Sequence, residues 1–308
     1  MKLSPFVLSL ALLGVAACKK HNDNSSASTQ TITKVVTSDT SFSLLASAVT
    51  TANLATTLSG PGPFTVFAPN NAAFAATGLT AGTLSSLSPT QLSTILLYHT
   101  IPGKIMSSQV PAGPNAKVTT ASNDSVFVTN NSNGVFVNGI KVVKADVAAS
   151  NGVIHVLAKV LIPPVGNLVG TASADTNFSY LVAAVTRASQ GTTNVAAVLS
   201  SGGIFTVFAP TNAAFRAAGF ANTTAINAAD PNTLAKILTY HVVAGRAFSS
   251  DLSDGIKLIT LNGETLAVSL SAGAQVKGMS NATAANIKAT NIVATNGVVH
   301  VIDQVLLP

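Results

Sequence analysis

The chain has one cysteine, Cys18, and no tryptophan in 308 residues, only three tyrosines, and a single glutamate, Glu264, among ten acidic residues. Each shortage removes a class of function. A lone cysteine cannot close an internal disulfide and cannot by itself build a thiolate zinc site. With so few carboxylates spread so thinly, general acid–base pairs are hard to assemble, and the chain is read as having no catalytic residues. The 16 basic residues give a formal charge of +6 but stand singly along the domains, without the clusters and stacking aromatics that a phosphate backbone requires, so no nucleic-acid partner is expected. No Gly-x-Ser-x-Gly turn and no phosphate-cradling Gly-x-x-x-x-Gly-Lys loop occurs. What remains is apolar: 47% of residues are hydrophobic and 8% charged, a balance that folds and that exceeds one core at this length.

The N-terminus places the protein. Lys2 precedes the apolar run Phe6 to Leu13 and then Val15-Ala16-Ala17-Cys18. That run is too short to span a bilayer, and small residues before the cysteine suit a signal peptidase. Residues 1–18 are therefore read as a signal peptide with a lipobox, Cys18 becoming the mature N-terminus. The resemblance to bacterial lipoproteins implies lipidation of Cys18 and attachment to a membrane through that anchor. Residues 19–30, from Lys19-Lys20-His21 to Gln30, show no apolar periodicity and read as a flexible stalk. Lys19 beside the anchor is not the aspartate that favours inner-membrane retention, so the expected location is the cell envelope, at the outer membrane.

The rest is a duplication. Phe64-Thr65-Val66-Phe67-Ala68-Pro69-Asn70-Asn71-Ala72-Ala73-Phe74 returns 141 residues later as Phe205-Thr206-Val207-Phe208-Ala209-Pro210-Thr211-Asn212-Ala213-Ala214-Phe215. Tyr98-His99 returns as Tyr240-His241, and Asn151-Gly152-Val153-Ile154-His155-Val156 as Asn296-Gly297-Val298-Val299-His300-Val301. A repeat of this length is a domain and not a solenoid unit. Together these three motifs resemble the signature of the fasciclin (FAS1) family, over 31–164 and again over 165–308. The resemblance implies an α+β fold: two tandem FAS1-like domains, each a β-wedge with several packed helices.

Local physics agrees. Phe64–Ala68 is β-branched and aromatic, hence a strand, which Pro69 stops because it has no N–H to donate. Asn70 or Asn71 then caps a helix of alanines that Gly78 ends. Each domain should open with an amphipathic helix, carrying Phe42, Leu45 and Val49 in the first and Phe178, Leu181 and Val185 in the second. Further helices are expected over Thr90–His99 and Asn232–His241. Strands are expected at Val126–Val128, Val135–Val137 and Ile140–Val143, with Asn138-Gly139 as a hairpin turn. The short Val165-Gly166-Asn167 link should restrict interdomain freedom.

Four of the five histidines fall at equivalent positions, His99 with His241 and His155 with His300. Two imidazoles per domain fall short of a zinc site, so no metal and no cofactor is expected. Instead each ring should satisfy buried backbone at an element end. Function should then lie on a surface. The family resemblance implies adhesion through contact with extracellular matrix, polysaccharide or a surface protein, without catalysis. It marks Tyr98, His99, Asp146 and Val147 in the first domain, and Tyr240, His241, Asn291 and Ile292 in the second, as the candidate interaction surface. Asn291 lacks the charge of Asp146. The competing expectation is a carrier of a small apolar ligand such as a carotenoid, as in some relatives.

Overall fold

The computed structural model describes residues 28–308. The signal peptide, Cys18 and most of the stalk lie outside the described residues. Among the described residues no helix is long and apolar enough to cross a membrane.

Each half of the chain is one mixed seven-stranded sheet with helices packed against part of it. In the first half the strands are β1 (Phe64–Pro69), β2 (Thr100–Pro102), β3 (Gly113–Thr119), β4 (Ser125–Asn131), β5 (Gly134–Val137), β6 (Ile140–Ala149) and β7 (Gly152–Leu157). They lie in the order β2-β1-β7-β6-β5-β4-β3. In the second half β8 (Phe205–Pro210), β9 (Val242–Ala244), β10 (Lys257–Ile259), β11 (Thr265–Ser269), β12 (Gln275–Lys277), β13 (Ala285–Ala294) and β14 (Gly297–Ile302) take the order β10-β11-β12-β13-β14-β8-β9. The two motifs most distant within each half are neighbours: β1 pairs parallel with β7, and β8 with β14. All six residues of β7 and of β8 are buried, as befits strands covered on both faces.

Capping explains the helix starts. Asn70, not Asn71, caps the helix Asn71–Ala76 by accepting from the Ala73 N–H at 2.9 Å. Asn71 is used otherwise: its side chain holds the Thr40 carbonyl, Ser43 and the Leu44 N–H, tying that helix to the start of the earlier helix Ser43–Thr51. Thr211 and Asn212 divide the same work in the second half. Helices expected to begin at Thr90 and Asn232 span Pro89–Tyr98 and Pro231–Tyr240, because proline is favoured at the first helical position, where its missing N–H costs nothing. Asn138 and Gly139 have φ of 49° and 71°, the left-handed pair that a two-residue hairpin turn needs.

The halves touch through unlike faces. Phe127 of β4 meets Phe248 with ring centroids 6.1 Å apart, and the Arg246 guanidinium lies 3.8 Å above the Phe127 ring. Around this pair, Asn115 donates to the Arg246 carbonyl at 2.7 Å and to Asp251 at 3.0 Å, while Thr129 donates to Asp251 and Asn131 to the Ser250 carbonyl. Phe127→Ala deletes both the aromatic pair and the cation–π contact without touching either domain's own core. It should remove about 3 kcal/mol of coupling and split a single calorimetric unfolding transition into two.

Candidate functional site

The Tyr-His segment ends a helix in each domain, and burial decides its role. Tyr98 and Tyr240 are 0% exposed, and His99 and His241 are buried beside them. The Tyr98 hydroxyl donates to the Ser125 carbonyl at 3.1 Å and receives the Asn138 amide at 3.0 Å; that of Tyr240 donates to the Thr265 carbonyl and receives the Met279 N–H. Each hydroxyl thus links the helix end to the far strands of its sheet. The expectation that these four side chains form an interaction surface is corrected here. A helix that buries its C-terminal turn against the sheet leaves its last aromatic residue no path to solvent.

The histidines are pinned by backbone. The His99 Nε2 accepts the Leu161 N–H at 2.9 Å, so its Nδ1 carries the proton donated to the Ile95 carbonyl at 2.8 Å. His241 repeats this with Leu306 and Ile237. Full burial, which disfavours the charged ring, lowers both to about 4.

The second pair of histidines organises a different feature. His155 faces the Ile105 carbonyl through Nε2 at 2.8 Å and accepts the Asp146 N–H on Nδ1 at 3.2 Å. Asp146 has a φ of 59° and Asn291 one of 65°, both at register breaks in the long antiparallel strand. Asp and Asn are the side-chain-bearing residues that best tolerate this left-handed conformation, which gives the aligned pair a backbone reason. From the bulge the Asp146 carboxylate accepts the Ser107 N–H at 2.8 Å and the Ser107 hydroxyl. Burial alone would raise its pKa, but these hydrogen bonds, helped by His155, outweigh it and hold the carboxyl below its usual range. In the second domain Asn291 makes the same two links to Ser249, its amide donating where Ser107 donates. His300 keeps the bond to the Ala247 carbonyl, while its buried Nδ1 has no partner.

Both residues are half-buried, and their surroundings separate the two copies. The Asp146 side chain is 32% exposed, next to the exposed Lys104, Ser108 and Gln109. Asn291 instead lines the cleft between the domains, under the Gly139 turn, where an added Cβ would come within 2.5 Å of the Asn291 amide and 2.7 Å of Phe248. Val147 and Ile292 pack partly buried against their own cores and do not project. Of the eight candidates, then, Asp146 alone pairs charge with exposure. The Lys104–Gln109 segment beside it was not singled out from sequence, although its Ser107-Ser108 pair behind a base returns as Ser249-Ser250 behind Arg246 and could have flagged it. No group of three or more His, Cys, Asp or Glu capable of holding a metal occurs among the described residues.

A family model for the fasciclin domain matches residues 40–163 and again 176–308. The chain belongs to the fasciclin family. A Synechocystis sp. relative, protein sll1483, is 45% identical over 141 residues, covering 44% of this chain and 76% of that protein. The transforming growth factor-beta-induced protein ig-h3 of Sus scrofa is 31% identical over 256 residues, 82% of this fasciclin chain but 35% of its own length. Human periostin is 28% identical over 257 residues, and this chain spans 29% of it. Among solved structures, a FAS1 domain pair from the insect cell adhesion molecule Fasciclin I aligns over 90% of this chain and 96% of that one, at 20% identity and a TM-score of 0.42. None of these matches is to a catalytic family.

Proposed function

We propose that this fasciclin protein is an adhesion or binding protein of the bacterial cell envelope, tethered through lipidated Cys18 at the outer membrane, and that its first domain carries the face that engages matrix, polysaccharide or protein. One observation carries the choice of face. In the second domain the segment Arg246–Asp251, with Asn291 beside it, already seats a protein surface, that of the first domain. In the second domain the bulge face is thus already packed against another domain, which supports the reading that the first domain's copy, Lys104–Gln109 with Asp146, is open to a partner. Contacts there would be polar and rim-like, favouring encounter and specificity over tight affinity. The expected partners are those of fasciclin relatives in kind, and the geometry of the face does not single out one of them.

The test is attachment of cells to a coated surface. A Cys18→Ala strain should lose attachment as fully as a deletion strain. Ser108→Arg, which places bulk on the exposed face without disturbing a hydrogen bond, should lower attachment about tenfold, the scale of a disrupted hot spot. The control substitution Ser253→Arg, at an exposed position outside both bulge faces, should leave it unchanged. Undiminished attachment in the deletion and Cys18→Ala strains would remove the adhesion reading. Loss in those two with none in Ser108→Arg would remove only the choice of face.

A further inference from the structure

Beneath the Lys104–Gln109 segment the first domain holds a cavity of about 280 Å³. Its walls are apolar, formed chiefly by Phe67, Ile101, Val118, Val128 and Val142, with Ala116 on the β3 side. We infer that this cavity binds the chain of a medium-length aliphatic carboxylate, with Lys104 pairing the head group. This goes beyond the adhesion reading and does not depend on it.

The polar side chains around the cavity decide the chemistry, because nearly all are already committed. The Thr65 hydroxyl donates to the Gly103 carbonyl at 2.7 Å and accepts the Ile105 N–H at 2.9 Å. His155 spends both ring nitrogens on backbone, and Ser107 spends its hydroxyl on Asp146. The Gln109 carbonyl oxygen accepts the Met106 N–H at 2.7 Å, leaving its amide NH₂ as a donor. A ligand's buried part therefore finds no unsatisfied partner and must be apolar. Lys104 differs. Among the described residues no carboxylate lies within ion-pair distance of it. One cation and one amide donor at the rim of an apolar cavity match a carboxylate on an aliphatic tail.

Volume sets the length. A water-sized group takes roughly 30 Å³, so the cavity accepts about eight to ten carbons, and a forty-carbon polyene would need on the order of 1,000 Å³. The cavity therefore cannot enclose a carotenoid.

The experiment is a calorimetric titration with decanoate, below its micelle concentration, using a chain that lacks only the residues up to the anchor, since every described element lies downstream. One equivalent should bind with a Kd on the order of 100 µM, a modest affinity per atom for so small a ligand. Lys104→Gln should weaken this about tenfold, the scale of a charge-assisted contact. Ala116→Ile should abolish it; Ile256 stands at the corresponding register position in the second domain, packed against that core, so the fold accepts the larger side chain. No decanoate binding at millimolar concentration would overturn the inference, as would decylamine binding equally well. So would unchanged affinity in Lys104→Gln, an exposed variant that carries no folding risk. A lipid-anchoring or adhesion failure in cells would leave this titration unaffected, which keeps the two readings distinguishable.

Discussion

Acidifying the protein from pH 7 to pH 4 is expected to cost each domain about 3 kcal/mol of stability through one histidine alone. His99 and His241 have folded-state pKa values lowered by burial from 6.5 to about 4. The folded state therefore binds fewer protons than the unfolded state between these limits. Stability is fully present above pH 6.5 and falls as the pH drops toward 4, where the linked loss approaches about 2.5 pK units at 1.36 kcal/mol each. His300 is lowered in the same direction by burial, which adds to the second domain. A series of denaturant titrations should show a plateau above pH 7 and a steady decline below 6.5. His99→Gln offers a donor and an acceptor in place of the ring nitrogens. It should lower stability at pH 7 while flattening the acid decline of the first domain, leaving that of the second intact. An unchanged acid decline would show that His99 is not its source.

Gly152→Ala should be the most damaging single-methyl change in the first domain, at about 3 kcal/mol, with Gly297→Ala its counterpart in the second. Neither glycine has a positive φ, so conformational freedom is not the reason. Parallel pairing is: a Cβ on Gly152 would sit inside the contact radius of the Phe64 carbonyl oxygen, and one on Gly297 inside that of Phe205. Both atoms belong to laddered backbone, so neither can turn aside as a side chain could. The preceding Asn151 fixes the strand from the other side, accepting the Ile32 N–H and donating to the Leu58 and Gly60 carbonyls. A useful contrast is Gly78→Ala, where φ is 76° but the space is open, and where only the left-handed strain of about 1 kcal/mol should appear. Equal chemical-denaturation midpoints for the two variants would disprove the close-approach argument.

The fasciclin fold was legible because its local signals and its repeat agree. Strand Phe64–Pro69, the Asn-capped helix after it and the Asn138-Gly139 turn each follow from short-range chemistry. The parallel pairing of β1 with β7 was not legible, since the partners lie almost ninety residues apart and no local pattern names a partner. The candidate surface was half legible. Tyr98, His99, Tyr240 and His241 stand out in the sequence, but a polar group on a recurrent motif signals burial with partners as readily as exposure, and sequence spacing does not say which. Asp146 and Asn291 were likewise marked, yet their shared bulge and different surroundings depend on strand register and on the neighbouring domain.

Two copies of one α+β module, the helix caps, the turn glycines and the scarcity of catalytic groups were all determined by the sequence alone, because each rests on interactions within a few residues or on composition. Which copy keeps its bulge face open was decided only by tertiary structure. Phe127, Arg246 and Phe248 meet across more than a hundred residues of chain, and their packing sets Asn291 in the cleft between the domains while Asp146, Lys104 and the cavity beside them stand outside it.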